Sequence, residues 1–161
     1  SFPTRRSSDL CKIRYEKVME NGMQKKVTEP YLVDALSFTE AEARIIEEMT
    51  PFISGEFTVS DIKRANYSEL FPSDEESADR WFKCKLIFIT LDEKSGAEKK
   101  TSTQVLVQAA DLRDAVKKLD EGMKGTMADY QIGMVSETPL MDVYPYSAEP
   151  NDKPEFDPSK A

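Results

Sequence analysis

The chemistry open to this chain rests on carboxylates, lysines and two cysteines, because the sequence contains no histidine. Histidine is the commonest general base and metal ligand, so its absence argues against Ser/His and Cys/His nucleophile pairs. Cys11 and Cys84 each lack a second cysteine nearby in sequence, whereas a zinc site takes about four ligands. We expect both cysteines to be structural core residues, and we expect no catalytic residue, no metal and no cofactor.

Two pairs of lysines, Lys25-Lys26 and Lys99-Lys100, each open a predicted strand. Together with Lys12 and Lys85 they could form one basic patch in an otherwise acidic protein. A basic patch with nearby Tyr or Phe side chains is typical of single-strand nucleic-acid binders. The alternative is that these are solvated lysines that protect strand edges. We keep the four paired lysines as a candidate polyanion or partner patch.

The elements that must position these residues occur twice in the sequence. An offset of 73 places CKIRYEKV, from Cys11, over CKLIFITL, from Cys84. One extra residue in the next turn moves the offset to 74, which aligns the two lysine pairs and, further on, Ala41 with Ala115. The offset returns to 73 where Glu-Leu-Phe-Pro (69–72) lies over Asp-Val-Tyr-Pro (142–145). Agreement at this level indicates an internal duplication.

Each repeat reads as strand, strand, helix and strand. This order predicts an α+β fold, a tandem duplication of a ββαβ unit with one helix per repeat packed on antiparallel sheet. Alternation predicts the inward faces of the first strands, which are Cys11, Ile13, Tyr15 and Cys84, Leu86, Phe88. Ser37 and Asp111 are the predicted helix N-caps. The third strands, Glu56 to Tyr67 and Tyr130 to Val143, alternate imperfectly, which indicates a bulge.

The repeats set the predicted organisation of the chain. We divide it into a first repeat (11–72), an acidic linker (73–80), a second repeat (81–146) and a tail (147–161). The tail carries prolines spaced among charges, and we expect it to be disordered. The two repeats are expected to form one compact domain.

The first ten residues, SFPTRRSSDL, resemble the translation of a common short-read sequencing adapter. We interpret residues 1–10 as a non-native segment and expect them to make few contacts with the core. The second repeat has Trp81 and Phe82 before Cys84, so an aromatic pair is expected before Cys11, and this segment lacks it.

Composition limits the partners. The net charge of −8, from 22 basic and 30 acidic residues, argues against a broad phosphate-binding surface. No apolar run approaches the roughly 20 residues needed to cross a bilayer, which predicts no membrane association. The two cysteines do not make a disulfide framework, so we expect a reducing compartment and a cytoplasmic location.

The segments CKIRYEKVMENG, DRWFKCKLIFITLDEKSG and PLMDVYPY carry a family resemblance. Through them the chain resembles an uncharacterised bacterial family, domain of unknown function 4494, over about residues 11–146. The resemblance implies a bacterial source and brings no site residue.

The function favoured by the sequence is a non-catalytic intracellular binding module with a protein or single-stranded nucleic-acid partner. The chain has a duplicated β-rich scaffold, no histidine and no nucleotide loop such as GxGxxG. The alternative is a small enzyme with a carboxylate and lysine site in the cleft between the repeats. A binding scaffold tends to keep matching surface residues in both repeats, whereas an enzyme would concentrate unpaired polar residues in one.

Overall fold

Eight strands and two helices build the part of the chain that the structure, a computed structural model, describes, which is residues 7–127 and 129–145. In chain order the elements are β1 (Ser7–Val18), β2 (Gln24–Ala35), α1 (Phe38–Met49), β3 (Phe57–Ala65), β4 (Glu69–Phe71), β5 (Arg80–Leu91), β6 (Glu98–Ala109), α2 (Leu112–Gly122), β7 (Asp129–Glu137) and β8 (Asp142–Tyr144). The predicted α+β class is confirmed.

Two long hairpins form the centres of two separate sheets. β1 pairs antiparallel with β2 from the Ser7–Ala35 pair onward, and β5 pairs with β6 from the Arg80–Ala109 pair onward. Adding 73 to the β1 numbers and 74 to the β2 numbers converts the first register into the second. These are the two offsets found in the sequence, so equivalent residues of the two hairpins have equivalent cross-strand partners.

Each helix begins at its predicted cap. The Ser37 side chain accepts a hydrogen bond from the Glu40 backbone N–H, and the Asp111 side chain accepts one from the Asp114 N–H. The Glu40 carboxylate reaches back to the Leu36 N–H at 3.1 Å. These contacts satisfy backbone donors that a helix N-terminus leaves free, which fixes where both helices start.

One face of each sheet packs against its helix, and the two cores use equivalent positions. The first core contains Cys11, Ile13, Tyr31, Val33, Ala35, Ala41, Ile45 and Met49. The second contains Phe82, Cys84, Leu86, Val105, Val107, Ala109, Ala115, Leu119 and Met123. The inward faces predicted for the first strands are therefore confirmed, with Tyr15 and Phe88 partly buried at the rim of each core.

The third strand predicted for the first repeat, Glu56 to Tyr67, contains β3, whereas the one predicted for the second repeat, Tyr130 to Val143, is wrong in its extent, because that stretch breaks into the long β7 and the short β8. β3 and β7 remain with the hairpin of their own repeat, whereas the short β4 and β8 pair in the other sheet. The strand orders are β3-β1-β2-β8 and β4-β6-β5-β7, and β4 runs parallel to β6. The predicted bulge is present in β7, where the pairing with β5 shifts at Lys85/Leu86.

The prediction that residues 1–10 stay outside the core is wrong for the last four of them. Residues 7–10 belong to β1 and pair with β2, and Asp9 is fully buried. A strand needs backbone hydrogen bonds that any non-proline residue can make, so the hairpin extends through this segment whatever its side chains are. Residues 1–6 and the tail lie outside the described residues.

The acidic linker is held against α2. Lys118 Nζ donates to Ser73 Oγ at 3.1 Å and to Glu75 Oε1 at 2.9 Å, and the Ser73 N–H donates to the Gln108 side chain. The described residues fall into two compact units, a first unit of 7–64 with 143–145 and a second unit of 65–127 with 129–142. The linker thus belongs to the second unit.

Candidate functional site

The four candidate lysines are exposed at the starts of β2 and β6, namely Lys25, Lys26, Lys99 and Lys100. Consecutive residues of a strand point to opposite faces, so each pair is divided between the two faces of its sheet. Lys25 lies opposite Lys17, whereas Lys26 lies opposite Glu16. The two pairs lie in different units, and whether the four lysines bind a polyanion stays a prediction.

A hydrogen-bonded cluster lies on the helix-facing side of the first sheet, around the carboxylate of Glu29. Glu29 Oε1 accepts hydrogen bonds from the Tyr15 hydroxyl at 3.0 Å and the Tyr31 hydroxyl at 3.2 Å. Lys17 Nζ lies 3.6 Å from Oε2 of the same carboxylate. The Tyr31 ring stacks on Tyr144 of β8, with the ring centres 6.2 Å apart.

The electrostatics of this cluster keep the phenols protonated. Burial, with the hydrogen bond and charge of Glu29, raises the pKa of Tyr15 and of Tyr31 above the ordinary value for tyrosine. Both hydroxyls are therefore donors, and the carboxylate that receives them is already engaged as an acceptor. The arrangement holds the Tyr15 and Tyr31 rings in place.

An open cavity of about 620 Å³ lies beside Tyr15 in the first unit. Its walls come from the far ends of the β1–β2 hairpin and from the passage that leads into β3. The lining includes two cations and two carboxylates, Arg14, Lys26, Glu16 and Glu56. We call this feature the first-unit cavity.

Three of the charged positions of the first-unit cavity and the Glu29 cluster are changed in the second unit. The hairpin register makes Ile87 and Ile89 the equivalents of Arg14 and Glu16. Glu29 is likewise replaced by Thr103. These three charged side chains thus occur in one repeat only. Sequence reasoning missed this site, although the aligned hairpins already contained the signal, a charged pair set against two isoleucines.

The two cysteines are buried, as predicted. Burial raises the pKa of the Cys11 thiol to about 12 and that of the Cys84 thiol to about 11. A thiol nucleophile needs a lowered pKa and access, so both residues serve as core packing. Within residues 7–127 and 129–145, no group of three or more His, Cys, Asp or Glu side chains is placed to hold a metal ion.

No helix in the described part of the chain is long and apolar enough to cross a membrane.

The comparisons with known proteins agree with the sequence on the family. No curated protein matches the chain. A family model described as Domain of unknown function (DUF4494) matches residues 10–146, which covers both helices, the first-unit cavity and both hairpins apart from residues 7–9. The chain therefore belongs to the DUF4494 family.

Proposed function

We propose that the protein is a non-catalytic binding module whose first-unit cavity holds an extended segment of a protein partner. The observation that carries the proposal is the charge balance of the cavity lining, two cations with two carboxylates, of which Arg14 and Glu16 occupy positions where the second unit has isoleucines. A polypeptide offers both signs of charge, whereas a nucleic acid offers phosphates alone.

The cavity also offers fixed apolar contacts. Tyr15 and Phe57 are partly buried and line it, and the Tyr15 hydroxyl is anchored on Glu29. An aromatic ring that is already held in place loses little rotamer freedom on binding, which favours affinity. Ser54 and Thr58 add hydroxyls that can pair with a peptide backbone.

The strand beside the cavity supports an extended ligand. β3 is an edge strand of the first sheet and spans 9 residues. Edge strands present backbone N–H and C=O groups to which a peptide can add as a further strand, while cavities beside the edge select its side chains.

Charged side chains that occur in one repeat only are also the pattern expected of an enzyme, but the cavity gives a catalytic role little support. The two carboxylates that line it, Glu16 and Glu56, are exposed, whereas catalytic carboxylates usually lie in partly buried sites. The carboxylate of the Glu29 cluster accepts hydrogen bonds from two phenol hydroxyls and does not line the cavity, whereas a general base must reach a substrate proton.

The test uses defined probes against the full chain. Nine-residue peptides, matched to the length of β3, are labelled with a fluorophore in three sets, acidic, basic and mixed in charge. An oligothymidylate is the polyanion probe. Binding is followed by fluorescence anisotropy at low and high salt, with Arg14→Ala/Glu16→Ala as the cavity variant. Glu93→Ala/Lys94→Ala, which removes one charge of each sign from an exposed turn of the second unit, is the matched control.

We expect mixed-charge peptides to bind the wild type and the control, and to lose at least tenfold in affinity with the cavity variant. Loss of both charges removes their pairing with the peptide, and each pair contributes to specificity. Salt-sensitive binding of the oligothymidylate with no peptide binding would refute the proposal in favour of the lysine patch. Absence of peptide binding to the wild type would refute it as well.

A further inference from the structure

A fully buried carboxylate sits in the core of the first unit. Asp9 has no exposed surface, and neither of its oxygens accepts a hydrogen bond from any residue that the structure describes. Its only charged contact there is Arg64 Nε at 3.8 Å, whose side chain is 55% exposed. Buried charges normally carry full hydrogen bonding, so this residue does not suit its surroundings.

In the second unit the position equivalent to Asp9 holds a large apolar residue. The pairing of β1 with β2 sets Asp9 opposite Val33, and the pairing of β5 with β6 sets Phe82 opposite Val107. Val33 and Val107 are equivalent buried residues of the two cores, so Asp9 and Phe82 occupy the same place. Phe82 is 2% exposed and packs within its core.

Among the residues that the structure describes, the charges around Asp9 do not compensate its burial. β3 contributes Arg64, whose guanidinium also lies 5.7 Å from the centre of the Phe38 ring. β2 contributes Asp34, whose negative charge repels that of Asp9. On the α1 side lies Glu42, whose negative charge, like that of Asp9, raises the pKa of the buried Cys11 thiol. Burial, together with Asp34, raises the pKa of Asp9 against the opposing effect of Arg64.

We infer that position 9 is a core position built for a large apolar side chain, and that Asp9 makes the first unit less stable at neutral pH than in mild acid. The segment that carries Asp9 is the one whose sequence resembles a translated adapter, which agrees with a residue foreign to this core. The inference is independent of the proposed function, because Asp9 does not line the first-unit cavity.

The sign of the pH dependence follows from linkage. A carboxyl group whose pKa is raised in the folded state binds its proton more tightly when folded, so the stability associated with it is present below the unfolded pKa of 3.8. That stability is lost as the pH rises through the raised folded pKa. Carboxylates such as Asp92 and Asp114, whose pKa values are lowered, act in the opposite direction, so the difference between variants isolates Asp9.

The experiment compares the full chain with Asp9→Phe and Asp9→Asn from pH 7 down to pH 4. Asp9→Asn keeps the volume, so it remains informative if the larger ring fails to fit. Asp74→Asn, on an exposed carboxylate, is the matched control. Urea unfolding is followed by circular dichroism, and hydrogen exchange is measured for β1 peptides, because the single tryptophan, Trp81, lies in the second unit.

We expect Asp9→Phe to raise the ratio of folded to unfolded protein at pH 7 at least tenfold, which corresponds to about 1.4 kcal/mol. The advantage of Asp9→Asn over the wild type should shrink as the pH falls, and Asp74→Asn should show no such trend. A wild type that is more stable than both variants at pH 7 would overturn the inference. So would an advantage of Asp9→Asn that does not change with pH.

Discussion

Gly122, the last residue of α2, allows Phe71 of β4 to lie against the helix. A Cβ at position 122 would stand 2.8 Å from two atoms of the Phe71 ring, whereas ordinary contacts begin near 3.4 Å. Gly122→Ala therefore tests whether β4 is packed on α2 as the structure shows. The equivalent residue of the first helix is Glu48, so the requirement for glycine belongs to this contact and not to the repeat.

Two effects of Gly122→Ala oppose each other. Replacing glycine by alanine in a helix gains up to about 1 kcal/mol, and less at the last residue. Forcing an extra methyl group into a packed contact costs about 1–3 kcal/mol. Phe71 is only partly buried and can move by a few tenths of an ångström, which places the cost toward the lower end. We expect a net destabilisation of about 1 kcal/mol.

The assay is urea unfolding of the full chain followed by the fluorescence of Trp81, in a double-mutant cycle with Phe71→Ala. Without the ring, Gly122→Ala should stabilise the protein slightly, so the sign of its effect reverses between the two backgrounds. Gly55→Ala, followed by circular dichroism because Gly55 lies in the first unit, is the control, since the added Cβ meets no atom within 4 Å beyond its chain neighbours. A Gly122→Ala protein at least as stable as the wild type, or the same effect in both backgrounds, would refute the contact.

Two further predictions concern the cores. Ile45→Ala and Leu119→Ala, at equivalent positions of the two fully buried helix stripes, should each lower the free energy of unfolding by about 2–5 kcal/mol in urea titrations. A loss under 1 kcal/mol at either position would contradict the packing described for that core. Both cysteines should resist a thiol-specific reagent at pH 8 and react once the protein is unfolded in urea, because burial raises their pKa values. Rapid labelling of the native protein would show that a thiol is accessible.

Much of the fold could be predicted because its signals are local. The N-cap residues Ser37 and Asp111 and the alternating first strands specify the helix starts and the inward faces of β1 and β5, and the structure places these as expected. The two cores follow from the same patterns, since burial on one face needs only periodicity and a helix to cover it.

The exchange of short strands could not be predicted in this way. β4 and β8 have three residues each, too few for a periodic signal, and their partners lie in the hairpin of the other repeat. The sheet that each short strand joins is determined by pairing between residues far apart in the chain, and local sequence patterns do not predict such pairing. The burial of Asp9 was missed for a different reason, because a foreign-looking segment can still extend a strand through backbone hydrogen bonds alone.

The first-unit cavity could be predicted only in part. Its charged residues were visible, but the expectation centred on lysines that both repeats share, such as Lys26 and Lys100. Matching residues in two repeats are equally well explained by shared strand geometry, because the hairpin registers are the same.

The differences between the repeats carry more information about function than the matches. Exposed strand positions are free to vary, so a single change from charge to isoleucine would need no explanation. Here Arg14 and Glu16 differ from Ile87 and Ile89 together, and both line one cavity beside an aromatic ring that a third differing residue, Glu29, holds in place. Two differences in the lining of one cavity, with a third that anchors its aromatic ring from the other face of the hairpin, favour a ligand of that cavity over independent drift. We therefore propose the first unit as the site of binding.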